Sequence, residues 1–95
     1  MKADQTDVPV TVDAAVRALR ALVSIEEQGK ICSLREDQLV SLHWGLGQWV
    51  RNHFGLWGIN HALLNATGKE GADDASEVIL REFWSSLRDE LPKLH

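Results

Sequence analysis

The sequence predicts an all-α fold, a compact bundle of about four helices over residues 12–28, 34–53, 59–66 and 74–91, the third of them short. Three observations predict it. Apolar residues recur at helical spacing near both ends of the chain. The breaks between those stretches carry helix caps and glycines. No stretch alternates apolar and polar residues strongly enough to read as a strand.

Residues 1–10 (MKADQTDVPV) are polar, lack large apolar residues until their end and are interrupted by Pro9, which reads as a flexible N-terminal arm before a single helical domain over 11–95. Thr11 is a natural N-cap, with Asp13 in the first turn where the helix dipole favours negative charge. Val12, Ala15, Val16, Leu19, Leu22 and Val23 then line one face, Arg17, Arg20 and Glu27 face away, and Gly29 is the expected end.

Ser33 and Glu36 have the Ser-x-x-Glu spacing of a capping box and are expected to open the second helix. Leu39, Leu42, Leu46, Trp49, Val50 and His53 form its stripe. Gly45 and Gly47 each cost roughly 1 kcal/mol against Ala in a helix interior, a cost tolerated where another element comes close, so the last helix is expected to cross there. Gly55 is the expected left-handed cap. Leu56-Trp57-Gly58 makes a tight apolar corner, and Gly68 closes the short third helix. Asp73 or Asp74 is expected to cap the last helix, with Glu77 as a box-like partner of Asp74. Val78, Ile79, Phe83, Leu87 and Leu91 share its core face, Leu80 and Trp84 widen it, and Pro92 ends it.

The organising stretch is residues 39–58, which holds three of the four tryptophans and four of the seven glycines. Over residues 38–68, 31 positions, the only formal charge is Arg51. A run of that kind is core or interface. The whole chain has 95 residues, 44% hydrophobic and 25% charged, with a formal charge of −4. That is one globular domain near the small end of what builds a core without staples. Acid excess without a Lys/Arg cluster argues against nucleic acid. A single cysteine, Cys32, permits no intrachain disulfide and favours an intracellular compartment. With no leader-like N-terminus and no run of eighteen apolar residues, the expectation is a soluble, cytoplasmic protein with no membrane contact.

LHWGLGQWVRNHFGLW, followed by GADDASEVILREFWSSL, resembles an uncharacterised bacterial family of small helical domains, a domain of unknown function. Its pattern is Leu-His-Phe-Gly-Leu-Gly-x-Trp-Ile-Arg-Asn, then Gly-Leu-Trp, then Pro-Asp-Asp-x-Ser. The residues that carry the likeness are Leu42, His43, Gly45, Leu46, Gly47, Trp49, Arg51, Asn52, Gly55, Leu56, Trp57, Asp73, Asp74 and Ser76. The likeness spans about residues 11–91. Trp44 stands where the pattern has Phe, Val50 where it has Ile, and Ala72 where it has Pro, the last loosening the entry to the final helix. The resemblance implies a fold and a coherent motif set, and no reaction.

The candidate residues are Arg51, Asn52, Asp73, Asp74, His43, Trp44 and Trp57. A lone arginine is costly to bury unless paired, and Asp73 and Asp74 are the expected partners. Arg51 would then bridge the second helix to the start of the last, with Asn52 satisfying backbone near the Gly55 turn. His43, His53 and His61 lack the spacing of a metal clamp. On one helix His43 and His53 lie roughly 80° and about 15 Å apart. Cys32 has no base placed beside it, Ser76 reads as capping chemistry, and Gly45-x-Gly47 follows no strand and is not a phosphate loop. No catalytic set, cofactor or metal is expected. Trp49 and Trp84 belong to core faces. Trp44 points about 140° from Trp49, and Trp57 sits in the corner, so an exposed ring at either place marks an interface.

Three functional readings follow. The first is a protein-interaction module of accessory, inhibitor or immunity type, with Trp44, Trp57 and the Arg51, Asp73 and Asp74 cluster at the contact. The second is an anion-binding or enzymatic domain in which Arg51 holds the anion and Asp73, Asp74 or His43 assist. The third is homodimerisation alone. Exposure of Trp44 or Trp57 separates the first from the second, and a closed Arg51–Asp bridge without a cavity counts against the second.

Overall fold

The computed structural model describes residues 8–90, which fold as an all-α globule without strands among them. Helix α1 (Val12–Leu22) starts at Thr11, whose hydroxyl accepts from the Ala14 N–H at 3.0 Å. It stops six residues earlier than expected. Val23 is extended (φ −84°, ψ 133°), and Ser24 opens a separate helix α2 (Ile25–Cys32) by accepting from the Glu27 N–H at 3.1 Å. Ser24-Ile25-Glu26-Glu27 is itself a Ser-x-x-Glu sequence, and the cap it makes competes with helix continuation. Gly29 therefore lies inside α2 instead of ending a helix. Gln28 ties the corner, its amide donating to the Arg20 and Val23 carbonyls at 2.9 and 2.8 Å.

The expected helix over 34–53 is three kinds of helix in series: a 3₁₀ segment (Glu36–Leu42), a π turn (His43–Gly47) and α3 (Gln48–His53). The Ser33–Glu36 box does not form. Ser33 Oγ donates to the Lys30 carbonyl, Gln38 Oε1 accepts from the Arg35 N–H, and the Glu36 carboxylate pairs with Arg81 instead. After α3, Gly55 takes φ +75° and the Leu56 N–H reaches the Arg51 carbonyl at 3.0 Å, the long bond of a Schellman turn. Helix α4 (His61–Thr67) is capped by Asn60 and closed by left-handed Gly68.

Helix α5 (Ala72–Glu90) is the central rod, touching every other element. It begins at Ala72, so Asp73 and Asp74 sit in its first turn and are not its cap. The stop expected at Leu91 and Pro92 lies outside the described residues. Ala75, Ile79, Leu80, Phe83 and Leu87 of α5 are buried with Ala15, Val16 and Leu19 of α1, Ile31 of α2, Val50, Phe54 and Leu56 around α3, and Leu63 of α4. Trp49 and Trp84 are half-buried against this core, and Trp84 Nε1 donates to the Leu34 carbonyl at 2.9 Å. Leu22 and His53, placed on core stripes by their spacing, are exposed: the α1–α2 corner and the end of α3 turn them outward. Of the expected arm, residues 1–7 lie outside the described residues, while Pro9 is buried and its carbonyl accepts from Asn60 Nδ2 at 2.7 Å.

Candidate interaction site

Arg51 is the organising side chain. It comes from the middle of α3, only 3% exposed, and points past Gly47 toward the start of α5. Its Nη1 donates to Ser76 Oγ at 3.0 Å, and its Nη2 donates to the His43 carbonyl at 3.1 Å. The His43 ring nitrogen Nδ1 lies 3.5 Å from Nη1. Asp73 Oδ1 is 3.4 Å from Nε, but this N–H has no aligned acceptor among the described residues. The aspartate thus supplies charge without a good hydrogen bond. It remains 63% exposed at its side chain and largely hydrated, so screening limits what the pair contributes.

The expected bridge between α3 and α5 is present, but its strong members are Ser76 and a backbone carbonyl. Asp74 has no ion pair among the described residues, so the expected double-aspartate partner reduces to Asp73 alone. Ser76, read as capping chemistry, does bond to backbone: its hydroxyl donates to the Asp73 carbonyl at 2.9 Å while accepting from Arg51. Sequence reasoning missed its second role. A serine in the second turn of a helix gives no sign that a distant arginine will reach it.

Gly47 makes room for the guanidinium. A Cβ there would meet Arg51 Nη1 at 3.2 Å, the Leu42 carbonyl at 3.2 Å and Leu80 Cδ1 at 3.4 Å. The crossing by the last helix expected from the glycine pair occurs at Gly47 through Leu80. It does not occur at Gly45, which faces open space. The π turn lets the chain carry His43 and its carbonyl onto Arg51, in keeping with the tendency of such turns to lie where a regular ladder must yield.

Trp57 covers the outside of this cluster, its ring centroid 5.9 Å from Arg51 Cζ and its Nε1 donating to Asn52 Oδ1 at 2.7 Å. Asn52, expected to serve backbone at the Gly55 turn, is exposed and holds a tryptophan instead; the turn satisfies itself through the Leu56 N–H. On the other side His43 meets Trp44 edge to face at 4.8 Å. The contacts therefore run in one line from Trp57 through Arg51 and His43 to Trp44. Both indoles lie outside the core, Trp44 77% and Trp57 61% exposed, and their neighbours in sequence Val40 (74%) and Ile59 (87%) are exposed as well.

A cavity of about 80 Å³ opens beside Val40, between the 3₁₀ segment and α5, lined by Leu39, Val40, His43, Ser76, Glu77, Leu80 and Arg81. It is well below the roughly 300–1,000 Å³ of ordinary small-molecule sites. Arg51 does not line it. A second concavity, a shallow groove of about 550 Å³ along Leu22, Val23, Ile31, Leu42, Leu46 and Trp49, has an apolar floor and contains none of the candidate polar residues. It exists because α1 and α2 bend apart at Val23, a break that apolar spacing alone does not reveal.

Cys32 is half-buried, and its carbonyl accepts from Arg88 at 3.2 Å. Among the described residues no three His, Cys, Asp or Glu side chains are placed to hold a metal ion, and no helix is long and apolar enough to cross a membrane.

Residues 8–87 match the family described as Domain of unknown function (DUF6794). No curated protein and no solved structure matches the chain significantly. A match over that much of the sequence places the chain in the family: it belongs to DUF6794.

Proposed function

We propose that this member of the family works by binding another protein, as a bacterial cytoplasmic accessory, inhibitor or immunity-type module. The observation that carries the reading is the pair of solvent-facing tryptophans, Trp44 and Trp57, flanked by Val40 and Ile59 and joined underneath by the Arg51–His43 cluster. Leaving four large apolar side chains in water forgoes on the order of 1.5–3 kcal/mol each for the aliphatic ones and more area still for the indoles. Grouped exposed aromatics of this kind mark binding hot spots.

The rigidity beneath them supports the same reading. Asn52 and Arg51 hold the Trp57 indole through a hydrogen bond and a cation–π contact, so that ring has little side-chain entropy left to lose on association, while Trp44 rests edge-on against His43. The anion-holding alternative finds less support, because both Nη groups of Arg51 are spent inside the protein and Trp57 closes over them.

The test is an affinity capture from host lysate with wild type and Trp44→Ala, after both have been shown to melt at the same temperature. A protein recovered by the wild type and lost with the variant is the expected result. Equal recovery by both, or none by either, would remove the basis of the reading.

A further inference from the structure

We propose that the 3₁₀ segment and the π turn form a switch that couples the Trp44 surface to Arg51: the observed winding exchanges with a regular α-helix, in which His43 leaves Arg51 and the guanidinium turns onto Asp73. The inference concerns the regulation of the surface described above and rests on that reading only for what the switch serves. A 3₁₀ run of seven residues (Glu36–Leu42) is unusual, since such runs seldom exceed about 3–4 residues, and a π turn (His43–Gly47) follows it directly. The two windings err in opposite senses. At about 3.0 residues per turn instead of about 3.6, the 3₁₀ run is roughly 140° ahead of an α-helix by Leu42. The π turn, whose bonds reach one residue further than α bonds, is wound more loosely and takes part of that back. A regular helix therefore connects the same ends, Arg35 and Gln48, and the largest displacement falls at Leu42 and His43.

Apolar burial does not choose strongly between the two forms. The α winding places Leu39, Leu42, Leu46, Trp49 and Val50 on one face, and in the observed winding Leu39 and Val50 are buried while Leu42, Leu46 and Trp49 pack against the core. What holds the observed form is Arg51. Its Nη2 donates to the His43 carbonyl at 3.1 Å, and its Nη1 lies 3.5 Å from His43 Nδ1. Its Nε is buried without an aligned acceptor among the described residues, although Asp73 Oδ1 is only 3.4 Å away. With His43 turned aside, the guanidinium can present Nε and one Nη side by side to that carboxylate, the paired geometry that arginine and carboxylates favour. Gly47, whose missing Cβ leaves the space beside Nη1, gives it room to turn. The exchange trades a carbonyl acceptor for an aligned ion pair and gives the orphaned Nε–H its partner. Trp44 follows His43 in the chain and is 77% exposed, so it moves with the turn. A partner that grips Trp44 in one winding then selects that winding, and Arg51 and Asp73 respond.

The experiment is relaxation-dispersion and exchange-saturation NMR on the isotope-labelled full chain without any partner, which detects minor forms exchanging in microseconds to milliseconds. The amides of residues 36–47 and the Trp44 indole should report one common minor form whose carbonyl shifts are those of an α-helix. Asp73→Asn removes the charge that the minor form uses and should lower its population about threefold, within what a hydrated pair contributes. Ser76→Ala removes the acceptor that holds Nη1 in its observed direction and should raise the population by a similar factor. Circular dichroism melts first show that each variant folds; should Ser76→Ala not fold, the wild type and Asp73→Asn decide. A wild type without exchange over residues 36–47 would overturn the switch. So would a minor population unchanged by Asp73→Asn, or exchange confined to single residues at unrelated rates. None of these outcomes involves a partner, so the protein-binding reading stands or falls separately, on capture with Trp44→Ala.

Discussion

Arg51 Nη1 donates to Ser76 Oγ at 3.0 Å, and the same hydroxyl donates its own proton to the Asp73 carbonyl at 2.9 Å, so a guanidinium on α3 is tied to the backbone of α5 through one serine. The ion pair with Asp73 is the weaker part of this junction, because the carboxylate is hydrated and misaligned with Nε. The stabilising part is a buried cation that has its neutral acceptors in place. Hydrogen bonds to charged groups contribute about 1.5–3 kcal/mol each.

Arg51→Ala should therefore lower stability by about 2–4 kcal/mol, whereas Asp73→Asn should cost less than about 1 kcal/mol. Urea denaturation of both variants reads the difference directly. In a domain of this size each kcal/mol moves the melting temperature by about 4–8 °C. Arg51→Lys should fall close to Ala, since a single ammonium cannot reproduce two diverging donors. Equal losses for Arg51→Ala and Asp73→Asn would mean that the ion pair, and not the serine and carbonyl contacts, holds the junction.

The two glycines of the π turn should respond in opposite senses. A methyl group at Gly47 meets Arg51 Nη1 and the Leu42 carbonyl at 3.2 Å, and the carbonyl belongs to backbone that cannot easily give way. Gly47→Ala should cost about 1–3 kcal/mol. At Gly45 nothing lies within 4 Å and φ is not positive, so Gly45→Ala should be neutral or stabilising by up to about 1 kcal/mol through the unfolded state. Thermal melts of the two variants suffice, and a destabilised Gly45→Ala would show that the π turn itself requires glycine.

Asn60 holds three segments with one amide. Its Oδ1 caps α4 at the Leu63 N–H, while Nδ2 donates to the Phe54 carbonyl at 2.8 Å and the Pro9 carbonyl at 2.7 Å. Asn60→Ala should cost about 2 kcal/mol or more, a cap plus two stranded carbonyls. Asn60→Asp should not rescue it, although aspartate caps as well as asparagine does, because a carboxylate would face two carbonyl oxygens. If the denaturation midpoint of Asn60→Asp equals that of wild type, capping alone accounts for the residue.

Much of this arrangement is readable from residue order, and the exceptions have physical causes. The α5 core face and the α1 face as far as Leu19 follow from spacing, because period 3.6 on an amphipathic helix fixes which side is buried, while the corner at Val23 turns Leu22 outward. The Gly55 and Gly68 closures follow from the absent Cβ. Between two Ser-x-x-Glu sequences, however, spacing cannot choose: Ser24–Glu27 caps a helix and Ser33–Glu36 does not, since Arg81, 45 residues away, claims Glu36. The junction at Arg51 is half legible. A lone charge in an uncharged run demands partners, but Ser76 and the His43 carbonyl are acceptors of a kind found everywhere in a chain. Asn60 is the plainest miss, as its bond to Pro9 spans 51 positions. Exposure of Trp44 and Trp57 could be posed as a question from the sequence and answered only by the fold.

Those two tryptophans should separate recognition from stability. Trp44 is 77% exposed and lies edge-on to the half-buried His43 ring, so Trp44→Ala should leave stability within about 0.5 kcal/mol of wild type. Trp57 covers the guanidinium and is hydrogen-bonded to Asn52, so Trp57→Ala should cost about 1 kcal/mol from the lost cation–π contact and packing. Asn52→Ala should reproduce only part of that, since it frees the indole without removing it. For binding the expected order differs: Trp44→Ala should weaken capture of a partner by far more than its melting temperature implies, and Trp57→Ala should weaken it too. Melting curves and a binding titration on the same samples give both readings. If the loss of binding merely follows the loss of stability across the three variants, the tryptophans serve the fold, and the surface they form is not the proposed interaction site.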